Sequence, residues 1–165
     1  MAVFFRLRAL LLAVLLALAA PGVSGCSAAP DPLARLRVPF TAKLAGERAS
    51  LRWEAELTAE DGTVTLRYTS PQSLSGLTLI RRGGTLRAEA GEVCYETTAE
   101  ALEGLWIAAE HLTGIADVSR WEHTGGGFSV LFADGSVLLL TGDGCPARLN
   151  CPEQTVLVTE FDPLT

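Results

Sequence analysis

Four cysteines and two histidines are the residues of this chain best suited to chemistry. Cys26 follows the small residues Val23-Ser24-Gly25, a setting that suits cleavage by a signal peptidase. Cys145 and Cys151 bracket a turn-rich stretch, Pro146-Ala147-Arg148-Leu149-Asn150, and a disulfide between them would close a small loop; pairing of either with Cys94 is the rival. Cys94 reads as a packed thiol or disulfide partner, with no cation beside it in sequence to favour a thiolate. His111 follows Glu110 and could begin a metal or acid–base site, but no second ligand falls at helical spacing. His123 lies beside Glu122 and close to Gly125-Gly126-Gly127. No lysine or helix follows those glycines, so they read as a turn and not a phosphate cradle. There is no Gly-x-Ser-x-Gly elbow and no Cys–His pairing signal. The sequence therefore nominates no catalytic residue, no metal site and no cofactor.

The elements around these residues begin with a targeting segment over residues 1–25. Arg6 and Arg8 precede an unbroken apolar run, Ala9 to Ala20, which is shorter than the roughly 20 residues of a membrane-spanning helix. Pro21 and Gly22 break it ahead of Val23-Ser24-Gly25-Cys26. That stretch resembles the lipobox of bacterial lipoproteins, in which the cysteine takes a diacylglycerol and becomes the new N-terminus. The resemblance implies lipid on Cys26 and a place in the cell envelope, on the extracytoplasmic face of a membrane. The alternative is ordinary secretion with Cys26 as a free or disulfide-bonded cysteine. Lipidation would leave three cysteines, so at least one is unpaired or joins two chains.

About 140 residues remain, the size of one domain. The net charge of −6 becomes more negative once the two arginines of the leader are gone. Such acidity argues against nucleic acid as a partner. Residues 26–39, with Pro30, Pro32 and Pro39, read as a tether, and residues 40–163 as the domain.

Alternation of apolar and polar residues predicts strands from Leu51 onward, with one wet face: Leu51, Trp53, Ala55 and Leu57 inward, Arg52, Glu54, Glu56 and Thr58 outward. Asp61-Gly62, Gly83-Gly84 and Asp134-Gly135 predict hairpin turns. Between the strands, Thr97-Thr98-Ala99-Glu100 reads as a capping box. Leu102, Leu105, Trp106, Ala109 and Leu112 follow at helical spacing, and Gly114 suits the helix end. The expected fold is α+β: an antiparallel curved sheet, a half-barrel of about seven to eight strands, with one long amphipathic helix covering one face.

This order of elements resembles the lipoprotein-carrier (LolA-like) superfamily. The resemblance rests on Pro39-Phe40-Thr41-Ala42-Lys43-Leu44, the strand Thr63 to Thr69, and Ser70-Pro71 with Leu74, Gly76 and Leu77. The Gly83-Gly84 hairpin and the closing strands around Pro146 and Thr155 to Phe161 complete it. It implies a half-barrel whose concave face is lidded by helix and holds acyl chains. The style is that of anchored lipoproteins of this type, whereas the soluble carrier has no anchor. On this reading Trp53, Leu66, Tyr68, Leu105 and Trp106 line an apolar cleft between sheet and helix. The function expected is a non-catalytic, membrane-anchored module that binds a lipid or other hydrophobic ligand. The alternative is an envelope protein-interaction or sensor domain that uses the sheet surface, with an envelope protein as partner. A hydrolase would require His111 or His123 to meet an acidic residue in a pocket.

Overall fold

The computed structural model describes residues 31–102 and 104–164. The leader and Cys26 lie outside the described residues. Eleven strands run β1 (Phe40–Arg48), β2 (Leu51–Glu60), β3 (Thr63–Ser70), β4 (Leu77–Arg82), β5 (Thr85–Ala90) and β6 (Val93–Thr97), then β7 (Val118–Thr124), β8 (Gly127–Phe132), β9 (Val137–Thr141), β10 (Pro146–Asn150) and β11 (Gln154–Pro163). They form one antiparallel sheet in the order β6-β5-β4-β3-β2-β1-β11-β10-β9-β8-β7. The sheet opens out from the β1–β11 pair, and each side is a meander of hairpins.

The hairpins follow the turn residues. Asp61 and Gly62 both take positive φ, 49° and 71°, as a type I′ turn requires, and Glu60 pairs with Thr63 across them. Alternation then sorts the side chains. Phe40, Ala42 and Leu44 of β1, Trp53, Ala55 and Leu57 of β2, and Leu66 and Tyr68 of β3 are all buried on one face. Val130, Leu138, Leu149 and Val156 continue that core on the other side of the sheet.

Strands β6 and β7 are consecutive in the chain yet occupy opposite edges of the sheet. Residues 98–117 must therefore cross its face. A flat sheet of this width would separate the edges by about 48 Å. The connection contains a 3-10 turn, Glu100–Leu102, and a short helix, α1 (Ile107–Leu112), so it reaches about 50 Å only if the rest is fully extended. It is not fully extended, because Gly104 and Gly114 turn the chain at φ 77° and 68°. The sheet must curl toward this strap. The side-chain bonds agree: the adjacent carbonyls of Gly104 and Leu105 accept hydrogen bonds from Gln154 on β11 and Tyr68 on β3, strands that are not neighbours.

The expected fold class is corrected in two respects. There are eleven strands where about seven to eight were expected, because β1, β6 as a strand of its own and the edge strand β7 add to the set. There is also no long helix: the segment read as one continuous helix is a 3-10 turn, a break at Gly104 and the six-residue α1. The break has a physical cause. Gly104 adopts a left-handed φ, and a Cβ there would lie 2.7 Å from Arg48 Nη1. The carbonyls of Gly104 and Leu105, which a helix would use internally, are bonded to the sheet instead. At the start the capping hydroxyl is Thr98, one residue beyond the Thr97 that opens the expected box, while the far end turns at Gly114 as expected. Thr98 Oγ1 accepts from Ala101 N, and beyond Gly114 the Ile115 N–H returns to Glu110 O.

The N-terminal boundary moves as well. Residues 31–39, read as tether, belong to the domain: Ala34–Leu36 form a 3-10 turn, and Leu33 and Leu36 are buried in the core. Arg35 Nε donates to Asp143 O and holds this turn against the β9–β10 connection. No helix among the described residues is long and apolar enough to cross a membrane.

Candidate functional site

The strap and the sheet face beneath it bring together the five residues expected to line a cleft. Trp53, Leu66, Tyr68 and Trp106 are each no more than 2% exposed, and Leu105 packs against them half-buried. The Trp53 and Tyr68 rings meet edge-on at 5.4 Å. Tyr68 donates its hydroxyl to Leu105 O at 2.6 Å, and burial pushes its phenol far above the usual range. These side chains pack between strap and sheet.

Three polar ties hold the strap down. Tyr68–Leu105 is the first. Gln154 Nε2 donates to Gly104 O at 3.0 Å, which fixes the amide orientation, since a carbonyl can only accept. His111 supplies the third. Its Nδ1 faces Ile107 O at 2.8 Å and so carries the proton, while Nε2 lies 3.1 Å from Asp134 Oδ2, off the line of a good hydrogen bond. Its ring packs edge-on against Phe132 of β8 at 4.4 Å. These ties leave three buried polar atoms with no well-formed hydrogen bond among the described residues: Trp106 Nε1, His111 Nε2 and Gln154 Oε1. All three lie on the seam between strap and sheet. A recess of about 300 Å³ opens at this seam, lined by Arg48, Gly104, Ile107, Asp134, Cys151 and Gln154 among others.

His111 thus meets an acidic residue beside a recess, the condition set for a hydrolase. Nδ1 is engaged by Ile107 O, and Nε2 faces the Asp134 carboxylate rather than Ser136 or Cys151. Ser136 directs its hydroxyl to Asp134 Oδ2 at 2.8 Å, and burial pushes the Cys151 thiol up. Partial burial alone would raise Asp134, but the Ser136 N–H and hydroxyl and the neighbouring His111 ring together hold it below the usual carboxylate range.

That shift has a consequence for pH. A carboxylate whose folded pKa is depressed contributes stability that is complete above its unfolded value and is lost as pH falls through the folded one. Thermal melts taken from about pH 5 down to about pH 2 should therefore decline less steeply for Asp134→Asn than for the parent. Asp143, lowered by the Thr141 hydroxyl and the Cys145 thiol, adds the same slope to both proteins. Identical slopes would mean that the Asp134 contact contributes nothing.

The remaining candidates separate. His123 is exposed at the β7 edge, with its ring 4.6 Å from Phe128. The disulfide expected between Cys145 and Cys151 is not formed; both are unbridged thiols. They sit at opposite ends of β10, so a strand's rise places them about 20 Å apart, well beyond the span of a disulfide. Cys94, read as packed and without a cation nearby, is exposed, and Arg87 Nη2 lies 3.0 Å from its sulfur. Among the described residues no group of acids, histidines and cysteines could hold a metal ion. Sequence reasoning missed Gln154, which alternation on β11 places inward, and Asp134, visible only as the first residue of a turn.

No family model matches the chain, and no curated protein matches its sequence. Solved structures do resemble its fold. An uncharacterized conserved protein from Thermus thermophilus superposes with a TM-score of 0.50 at 13% identity, over 79% of this chain and 82% of that one. The LolA superfamily protein NE2245 from Nitrosomonas europaea gives 0.46 at 10% identity, over 78% and 87%. MucB in complex with MucA(peri) gives 0.48 at 16% identity, over 80% of this chain and 53% of that one. A LolA superfamily protein is thus among the structures this chain is similar to. At these identities the likeness concerns the fold alone.

Proposed function

We propose that this chain is a cell-envelope lipoprotein, anchored to the extracytoplasmic face of a membrane by lipid on Cys26, whose domain takes a hydrophobic ligand between strap and sheet. One observation carries the ligand half of this reading: every buried side-chain polar atom without a hydrogen-bond partner among the described residues lies on the strap seam. Each such atom costs about 1–3 kcal/mol. The closed strap is therefore the least satisfied part of an otherwise well-paired core, and lifting it exposes an apolar wall of Trp53, Leu66 and Tyr68. An acyl chain laid along that wall would restore the buried apolar contact while Trp106 and Gln154 find partners. Native mass spectrometry of the protein, purified gently from membranes, tests it. A bound mass in the range of a lipid supports the reading, and a ligand-free protein that also takes up no added fatty acid contradicts it.

A second reading has its own observation. A recess of about 510 Å³ is lined mainly by outer-face residues: Ala45, Glu47, Arg52, Glu54, Arg148 and Leu157. Leu157 is 47% exposed and stands among these charges. A small floor with one apolar side chain and both signs of charge around it suits a protein partner in the envelope. Cross-linking in cells from position 157 to one specific protein would favour that reading.

A further inference from the structure

Strand β6 is one of the two open edges of the sheet, and residues Val93 to Glu96 are exposed on both faces. Val93 and Tyr95, at 63% and 50%, are the most exposed large apolar side chains among the described residues. A two-residue turn, Gly91-Glu92, joins β5 to β6, with Ala90 paired to Val93 and Gly91 at φ 60°. In such a hairpin the closing pair exchanges its hydrogen bonds, and successive residues direct their backbone groups to opposite sides. Val93, Tyr95 and Thr97 therefore bond to β5. Cys94 and Glu96 offer their N–H and C=O groups to whatever lies at the open edge.

The three described cysteines stand in three settings. Cys145 directs its thiol to the Asp143 carboxylate at 3.3 Å, and Cys151 is half-buried; both are pushed up, burial being the larger cause in each. Cys94 is exposed, with the Arg87 guanidinium 3.0 Å from its sulfur; the carboxylate of Glu89, its partner across the hairpin, bonds the same guanidinium nitrogen and lies 4.0 Å from the sulfur.

From these observations we infer that β6 pairs antiparallel with β6 of a second copy, centred on Cys94, and that an intermolecular Cys94–Cys94 disulfide locks the pair. The register follows from the side chains. Centring on Cys94 sets Val93 of one copy against Tyr95 of the other, twice, which covers the exposed apolar face. It also sets sulfur opposite sulfur in a hydrogen-bonded pair, where the Cα atoms lie about 5.5 Å apart, within the range a disulfide spans. Centring on Tyr95 would set Cys94 against Glu96. The disulfide is needed because the edge alone is too small. Five residues a side fall well short of the roughly 20–30 of a stable interface. Glu92 of one copy also meets Glu96 of the other, which opposes association without a covalent link.

The chemistry is thiol–disulfide exchange in two steps. The Cys94 thiolate attacks a disulfide oxidant, a glutathione disulfide or an envelope protein disulfide, and expels one thiolate to leave a mixed disulfide. Cys94 of the second copy then attacks the Cys94 sulfur and expels the second thiolate. Two Cys94 thiols are oxidised to one disulfide, and the oxidant is reduced to two thiols. The oxidising compartment is the one the exported reading implies, but the pairing depends only on β6 and can be tested in detergent without a membrane.

Full-length protein in detergent micelles, treated with oxidised glutathione, should run at twice its mass on non-reducing gels and return to monomer with dithiothreitol. Cys94→Ser should abolish the dimer, while Cys145→Ser and Cys151→Ser leave it. Register is read separately: in a Cys94→Ser background, a mixture of Val93→Cys and Tyr95→Cys proteins should cross-link to each other in preference to themselves. A dimer that persists in Cys94→Ser, a glutathione adduct at Cys94 with no dimer, or cross-linking with no preference between partners would each overturn the inference.

Discussion

Replacing Gly46 with alanine should lower the melting temperature of the domain by roughly 10 °C. Gly46 sits inward on β1, directly opposite Trp53 of β2, and the indole occupies the space that a side chain would need. A Cβ at this position would fall 2.0 Å from Trp53 Cε2, 2.1 Å from Cζ2 and 2.6 Å from Nε1. The indole has little room to yield, because it is buried and its other side meets the Tyr68 ring at 5.4 Å. Overpacking of this kind costs about 3 kcal/mol. The cause can be isolated. In a Trp53→Leu background the same Gly46→Ala change should cost much less, since the clashing atoms are gone. If the two changes simply add, Trp53 is not what requires glycine at position 46. The effect also bears on function, because Trp53 forms one wall of the face beneath the strap.

The second large effect concerns the anchor. Cys26→Ser should shift the protein from the membrane fraction to the soluble fraction, or leave the precursor uncut. Each buried methylene contributes about 0.8 kcal/mol, so two or more acyl chains hold a protein durably where one holds it marginally. The acidic domain offers anionic headgroups no compensating attraction. Fractionation of cells expressing each form checks this. A Cys26→Ser protein that is processed normally and still pellets with membranes would contradict lipid anchoring at that residue.

How far such features were legible in the sequence depended on how local their causes are. Hairpins with Asp61-Gly62 and Gly83-Gly84 were legible because a positive φ at two successive residues restricts the choice of side chain. The inward set Trp53, Leu66 and Tyr68 was legible from alternation. The long helix was misread because Leu102, Leu105, Trp106, Ala109 and Leu112 keep helical spacing, while the bonds that defeat it come from Tyr68 and Gln154, far away in the chain. Strand β7 was missed because all seven of its residues are exposed and a bulge between Val118 and Arg120 disturbs its alternation. The Cys145–Cys151 disulfide failed for a related reason: Pro146–Asn150 reads as part of a turn-rich loop, but pairing with β9 and β11 makes it a strand. The cation beside Cys94 was invisible because Arg87 reaches it across a hairpin whose register only the fold supplies.

The seam between strap and sheet is where these non-local effects meet, and the proposed ligand site stands or falls there. Photolabelling with a diazirine fatty acid, followed by peptide mapping of the purified protein, tests it most directly. Labels should concentrate on peptides that carry Trp53, Leu66, Tyr68, Leu105 and Trp106, and excess unlabelled fatty acid should suppress them. Labelling confined to the outer face around Leu157 or to the edge strands, or labelling that no competitor reduces, would contradict a ligand site beneath the strap.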